Sequence, residues 1–407
     1  MHKPELVLPA GDLEKLKTAL LFGADAVYIG GKEFSLRAFA GNLALSEISS
    51  GLDYAHERGK KVYVTVNILA HNRDLVNMPA YLEQLHHLGI DGLIIADPGV
   101  IRLANTYAPG IPITVSTQAN ISNYESAALY RDLGAKRIVL ARELTLDEII
   151  DIKNRVDVEV EVFIHGAMCV SYSGRCLLSH YMTGRSANLG ACAHPCRYRY
   201  HLVEEKRPGQ YYPLEEDERG SYIFNSRDLC LLEYLPRLME AGIDAFKIEG
   251  RMKSPLYVAS LARVYKQAID YYTNSTYYDE RKIQSWLDEL LAVAARPFTS
   301  GFIEGESPLI QDIEKQEILG RSDFCGVVKG YHIDNGMVEV EQRANFGPGD
   351  PLQFMLPDGN IIDVELAELF DQEGVSLDRA RHPRQRVFIP CGKSIPEYSI
   401  LRRAGAI

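Results

Sequence analysis

The first half of the chain repeats one pattern: an amphipathic stretch ends in Gly, and a short apolar run rich in β-branched residues follows and closes on a polar side chain. Gly takes the left-handed conformation that ends many helices without steric cost, so it marks the helix stop. Gly23 precedes the run 25–29, Gly59 precedes 61–67, Gly89 precedes 91–97, Gly134 precedes 137–143 and Gly242 precedes 244–251. The runs 5–9, 112–120 and 158–165 have the same character, which makes eight predicted strands. Helix-period stretches at 13–22, 78–88, 124–133, 146–156 and 231–241 separate most of them. This alternation predicts an α/β fold with a parallel sheet, and eight βα units in about 270 residues match a TIM-like (β/α)8 barrel better than an open doubly wound sheet. No G-x-G-x-x-G follows a strand, and Lys393 after Gly392 lacks the upstream Gly of a phosphate-binding loop.

Before the last strand the pattern breaks for about 80 residues, far beyond ordinary βα spacing. The predicted organisation is a barrel domain over 1–305 with a cysteine-rich insertion at about 166–222. A charged linker at 306–322 and a small C-terminal β-barrel over 323–407 complete it. In that last part the runs 326–332, 337–341, 351–355, 361–366 and 385–389 alternate or carry β-branched residues, and Asp334-Asn335-Gly336 and Pro357-Asp358-Gly359 supply turns. A helix is predicted over 257–272.

The 407 residues are 46% hydrophobic and 24% charged, which suits a folded chain with a large core. No apolar run reaches the length of a membrane span, and the N-terminus does not resemble a signal peptide, so the expectation is a cytoplasmic protein with no membrane partner. A net charge of −11 argues against a nucleic-acid binder that uses its whole surface. Seven cysteines in such a chain are read as thiols or metal ligands, not disulfides. Four of them cluster: Cys169, Cys176, Cys192 and Cys196, spaced x6, x15 and x3, in a stretch 166–201 that holds four Arg and no Asp or Glu. Four thiolates on loops suit an iron-sulfur cluster or zinc; the wide first pair favours iron-sulfur over the tight knuckles of structural zinc, and four unligated thiols are the remaining reading. Cys230, Cys325 and Cys391 read as packing residues.

In a TIM barrel the reacting groups sit at the C-terminal ends of the strands. Those ends carry Asn67, Asp97, Gln118, Asn120, Arg142, Glu143, His165, Lys247, Glu249 and Arg251. His165, Arg142, Glu249 and Arg251 are the catalytic candidates, and Arg37, Asn67, Gln118, Asn120, Arg227 and Lys247 the substrate-binding ones. Several Arg at one mouth suit a carboxylate or phosphate substrate through bidentate hydrogen bonds, although each alone is more often a surface ion-pair member. The stretch 375–407 holds Arg379, Arg381, Arg384, Arg386, Lys393, Arg402 and Arg403 against Asp378 and Glu397, a net of +5. It reads either as a solvated strand face or as a phosphate-contacting surface for RNA, with Arg379, Arg381, Arg384 and Arg386 as the RNA-binding candidates.

The run from Glu161 through His165-Gly166-Ala167-Met168 to Cys169 is joined by Ser173-Gly174-Arg175-Cys176, Cys192 with Cys196, and Phe246-Lys247-Ile248-Glu249-Gly250-Arg251. Together they closely resemble the collagenase-like "U" peptidase family, and in particular its tRNA-hydroxylating members. The similarity extends from Pro4 through Ser116-Thr117-Gln118-Ala119-Asn120 into the C-terminal part. The resemblance implies a 4Fe-4S cluster on Cys169, Cys176, Cys192 and Cys196. It also implies tRNA as partner, prephenate as a dicarboxylate co-substrate, and conversion of the wobble uridine to 5-hydroxyuridine. Relatives that act on ribosomal RNA or a quinone precursor, and the peptidase activity of the family name, are the alternatives. A peptidase needs a nucleophile with a base or a catalytic metal; no G-x-S-x-G or H-E-x-x-H occurs, and Ser171 and Ser173 near His165 are the nearest arrangement. The sequence leaves room for a partner subunit or a homo-oligomer.

Overall fold

The computed structural model describes residues 2–35, 41–168, 171–185, 187–189, 192–193, 195, 227–275, 279–305 and 322–403, and the backbone alone of 202–203, 211–212, 216–217, 220–221, 225–226 and 311–312. Eight parallel strands close into a ring: β1 (Glu5–Pro9), β2 (Ala26–Gly30), β3 (Lys61–Val66), β4 (Gly92–Ile95), β5 (Ile113–Val115), β6 (Ala135–Val139), β7 (Glu159–Ala167) and β8 (Ala245–Ile248). Closure comes from β8, which pairs with β1 (Ala245 opposite Glu5) and with β7 (Ala245 opposite Glu161). The helices between them are α1 (Leu13–Leu21), α2 (Leu45–His56), α3 (Met78–Leu88), α4 (Pro98–Tyr107), α5 (Tyr124–Asp132) and α6 (Leu146–Arg155). The short α7 (Leu178–Thr183) lies in the insertion, α8 (Leu235–Glu240) precedes β8, and α9 (Pro255–Asn274) and α10 (Glu280–Ala292) follow it. The TIM-like expectation therefore holds, with each of the eight predicted strands in place.

Side chains of a strand alternate between faces, and here the outward set, Leu6, Leu8, Val27, Ile29, Val62 and Val64 among them, packs under the helices as one large core. Val7, Ala26, Tyr28, Tyr63, Ile94 and Ala245 form a separate cluster inside the ring. Below it, charged residues fill the barrel: Arg137 donates to Glu5 (2.6 Å), Glu159 (2.9 Å) and Glu161 (3.1 Å), and Tyr63 donates to Glu5. Burial alone would raise the Glu5 carboxyl, yet the Arg137 charge and the Lys61 hydrogen bond hold it below the usual carboxylate range.

Four strands end two or more residues short of the sequence pattern, β4 at Ile95 and β8 at Ile248 among them. β5 stops at Val115 because Thr117–Ala119 forms a 3-10 turn and Asn120 takes φ 57, and β6 stops at Val139. The stretch 231–241 begins as a 3-10 turn, Leu232–Tyr234, before α8. An unpredicted strand, Asp228–Cys230, runs antiparallel to the end of β7 and parallel to Phe298–Thr299. Cys230 thus lies in a strand, where burial pushes its thiol up to about 11.

The C-terminal part is a curled six-stranded antiparallel sheet: β9 (Asp323–His332), β10 (Met337–Gln342), β11 (Pro351–Met355), β12 (Ile361–Glu365), β13 (Arg386–Pro390) and β14 (Ile400–Arg403), in the order β12-β11-β14-β9-β10-β13. β14 was not apparent in the sequence pattern, since Arg402 and Arg403 interrupt its apolar run. Its own core includes Cys325, Phe346, Phe354 and Ile389, while Val327, Met355 and Ile400 join the barrel's core. Ion pairs seal that junction: Arg402 binds Glu289 of α10 through both nitrogens (2.6 and 3.1 Å), and Lys329 and Arg343 both reach Glu14 of α1 at 2.8 Å. Removing one partner of a buried pair strands the other, so Arg402→Ala is expected to lower stability by about 3 kcal/mol in denaturant unfolding, with Arg402→Lys recovering part of the loss.

Candidate active site at the barrel mouth

The mouth is shaped by an irregularity where β7 meets β8. Lys247 lies opposite Phe163 but Ile248 lies opposite His165, so β7 carries one extra residue at this step. A bulge of this kind reverses the alternation beyond it. Glu161 and Phe163 face the barrel interior, whereas His165 turns outward onto α9. Its Nδ1 lies 3.0 Å from the Tyr265 hydroxyl, and the rings of Tyr257, Tyr265 and Phe298 surround it. Burial, helped by the Lys253 charge, drops the imidazole pKa to about 3. His165 is therefore a neutral wedge between strand and helix, set apart from the polar groups of the mouth; period-2 reading could not anticipate the bulge.

Those groups centre on Arg142. Its guanidinium stacks 3.8 Å from the Phe163 ring, donates to the Ala167 carbonyl at 2.7 Å and meets Glu249 Oε2 at 3.5 Å. Gly166 makes room for this: at φ 119 it occupies backbone space that favours glycine, and a Cβ there would stand 2.6 Å from that of Glu249. Arg251 is buried and donates to Ser35 Oγ at 3.0 Å and Thr65 Oγ1 at 3.2 Å, as well as to Asn42. A Cβ on Gly30 would collide with that guanidinium. Asn67 reaches Gln118 Oε1 at 3.5 Å. Lys247, expected at the mouth, instead points into the barrel, 2.5 Å from Glu161 and 4.5 Å from the centre of the Tyr28 ring. Arg227 is half-buried beside the strand Asp228–Cys230, Asp97 caps α4, and Arg37 lies outside the described residues.

The cysteine-rich segment is tied down on this mouth by two consecutive βα loops, those after β5 and β6. Glu143 accepts from both the amide and the hydroxyl of Ser173 at 2.6 Å, and the Arg142 amide donates to the same hydroxyl. Asn120 donates to the Tyr172 carbonyl (3.1 Å), and Arg175 to the Gln118 carbonyl (2.8 Å). Ser173 is buried at φ 41, a conformation a non-glycine residue keeps only when its surroundings impose it. Among the described residues, two buried atoms next to this clamp lack hydrogen-bond partners: the donor Arg142 Nε and the acceptor Asn120 Oδ1. The clamp itself was missed from the sequence; a Ser between two clustered cysteines and a Glu at a strand end were its only signals.

Cys176 is buried and Cys192 half-buried, while Cys169 and Cys196 lie outside the described residues. The Cys176 amide donates to Asn188 Oδ1 and the Ala193 amide to Ser179 Oγ, so the loops bearing the two thiols are braced by neighbouring residues of the same segment. Braced, shielded thiols in a stretch without acidic residues fit the donor set of a thiolate-held cluster.

The basic stretch of the C-terminal sheet is differently placed from what its count suggests. Arg379 pairs with Asp350, Arg381 with Asp378, Arg386 with Glu339 and Glu341, Arg402 with Glu289, and Arg403 with Asp323 and Asp350. Most of these carboxylates come from outside 375–407, so the local +5 is largely neutralised. Arg384 remains exposed.

Residues 11–311 match the family model described as peptidase family U32, and residues 320–402 match that of its C-terminal domain. The chain is 40% identical to "tRNA hydroxylation protein P1" of Bacillus subtilis over 98% of its own length and 95% of that protein's. It is 35% identical to "tRNA hydroxylation protein P" of Escherichia coli, covering 99% of this chain and 97% of the relative. A 23S rRNA 5-hydroxycytidine synthase of Escherichia coli is 40% identical over 66% of this chain and 40% of that protein.

The aromatic setting of His165 has a consequence for stability. Its folded pKa of about 3 lies below the unfolded value, so between about pH 6.5 and 3 the unfolded chain binds the proton and the folded one does not. Each unit of acidification across that window is expected to cost about 1.4 kcal/mol from this group. The acid limb of the pH–stability curve should flatten in His165→Phe, as measured by urea unfolding from pH 7 to 4.

Proposed function

Because the chain belongs to peptidase family U32, we propose that it is an RNA-modifying hydroxylase that converts the wobble uridine of tRNA to 5-hydroxyuridine in a prephenate-dependent reaction. Near full-length likeness to proteins named for tRNA hydroxylation supports the substrate class. The observation that carries the reading is the clamp at Ser173, which holds the cysteine-rich segment directly on a mouth lined by Arg142, Glu249 and Asn120. Cys169, Cys176, Cys192 and Cys196 are the ligands of a 4Fe-4S cluster, which supplies one-electron redox chemistry when bound. The chain's own part is binding and orientation. Arg142, with a stacked guanidinium and an unpartnered Nε, takes a carboxylate of the dicarboxylate co-substrate, and Glu249 fixes its fork. Asn120 Oδ1 accepts a donor from substrate. Arg251, held by Ser35 and Thr65, is a second buried cation beyond the strand ends.

A peptidase would pair a nucleophile with a base. Here the Ser173 hydroxyl donates to Glu143, and the His165 imidazole turns to Tyr265, so the two are not partners.

Mass spectrometry of nucleosides from a strain lacking the gene should show loss of 5-hydroxyuridine-derived wobble nucleosides, restored by complementation. Loss from ribosomal RNA alone would move the substrate to that RNA. Anaerobically purified protein should contain iron and sulfide, and Cys176→Ala should lose both; stoichiometric zinc without sulfide would overturn the cluster. Arg142→Lys keeps the charge but not the fork, and should lower kcat/KM about tenfold or more.

A further inference from the structure

Large hydrophobic side chains are usually exposed one at a time. Among the described residues of this protein, four of the ten exposed ones fall within a single eleven-residue stretch of the insertion: Tyr172 (50% exposed), Leu177 (73%), Tyr181 (89%) and Met182. Arg175 and His180 are exposed in the same stretch, and Arg185 just beyond it. From 166 to 201 the chain carries four Arg and no Asp or Glu, in a protein of net charge −11. The stretch begins at the edge of the mouth, because the Tyr172 carbonyl is bonded to Asn120 and Arg175 to the Gln118 carbonyl.

We infer that this face of the insertion, centred on Leu177 and Tyr181, is the surface that receives single-stranded RNA and feeds a splayed base to the barrel mouth. The inference rests on the hydroxylase reading and goes beyond it, because it relocates the RNA contact from the C-terminal sheet to the insertion. Unpaired loops are recognised by stacking on aromatic and apolar side chains and by Arg contacts to phosphate, and a base must leave its stack to reach a buried site. The stretch 166–201 offers both kinds of group and carries no Asp or Glu of its own, the six acids of the insertion lying at 204–218. On the C-terminal sheet the arginines are mostly occupied by Asp and Glu.

The test uses the full chain and two RNA probes: a short stem-loop carrying an anticodon loop, and a fully paired duplex of the same composition. Wild-type protein should prefer the stem-loop. The double variant Leu177→Ala, Tyr181→Ala removes side chains that already face solvent, and it should weaken stem-loop binding about tenfold or more. Arg384→Glu on the C-terminal sheet should change binding by less than about threefold, the size of a long-range charge effect without a direct phosphate contact. Undiminished binding by the double variant, with loss in Arg384→Glu, would return the RNA to the C-terminal sheet and overturn the proposal. So would a dimer in sedimentation velocity that the double variant dissociates without a change in RNA affinity, since a second copy would then be the occupant. Wild-type protein that binds neither RNA would sink the hydroxylase reading itself; binding that ignores the variant would sink this surface alone.

Discussion

β7 runs to Ala167, and its projecting end forms three antiparallel pairs with a returning strand: Asp228 with Ala167, Leu229 with Gly166 and Cys230 with His165. Neighbouring strands lie about 5 Å apart, so the chain that leaves the barrel at Ala167 must come back to the same spot some sixty residues later. The cysteine-rich insertion is in this way anchored at both ends on the mouth. Without that pairing it would be a long excursion whose position loop entropy would leave open. With it, the hydrogen bonds that Gln118, Asn120 and Glu143 share with Arg175, Tyr172 and Ser173 need only choose an orientation, and Ser173 among them is held in a backbone conformation it would not adopt alone.

The extra residue in β7 serves the same end. By turning His165 outward it fills the gap under α9 with a neutral imidazole, and it leaves Phe163 facing inward, where its ring supports Arg142. Gly166 follows at once and lets Glu249 approach. Three neighbouring positions of one strand thus perform three tasks: packing, stacking and clearance. A substitution at any of them would be felt at Arg142 although only Phe163 touches it.

Charge is distributed with similar economy of contact. Inside the ring, Arg137 and Lys247 share Glu161, and Arg137 also meets Glu5 and Glu159, so the buried carboxylates and cations satisfy each other. Pairing of this kind offsets desolvation that an isolated ion could not bear. On the C-terminal sheet the same cancellation removes most of a basic run. A charge count along the chain therefore misses the carboxylates that other segments bring to the C-terminal arginines, whereas the stretch 166–201 has no acid in its own sequence.

Periodicity was sufficient for the barrel, since each outward strand face and each helix stripe must bury together and Gly23, Gly59, Gly89, Gly134 and Gly242 punctuate them. The cysteine spacing and the motif around Arg251 were likewise visible, because motifs are written in residue identity. Contacts between distant segments were not. Nothing near Glu143 announces that it will hold Ser173, no pattern marks the extra residue at Ile164, and Asp350 lies far in sequence from both Arg379 and Arg403. A strand's period says which face a side chain takes until a bulge reverses it, and a basic residue's identity says it is charged, not whether a carboxylate from another strand has already met it. Residue type determined what chemistry the chain could carry; the closing of the ring and the return of the strand at Asp228 decided which of those groups share a site, because only tertiary packing sets the distance between residues remote along the chain.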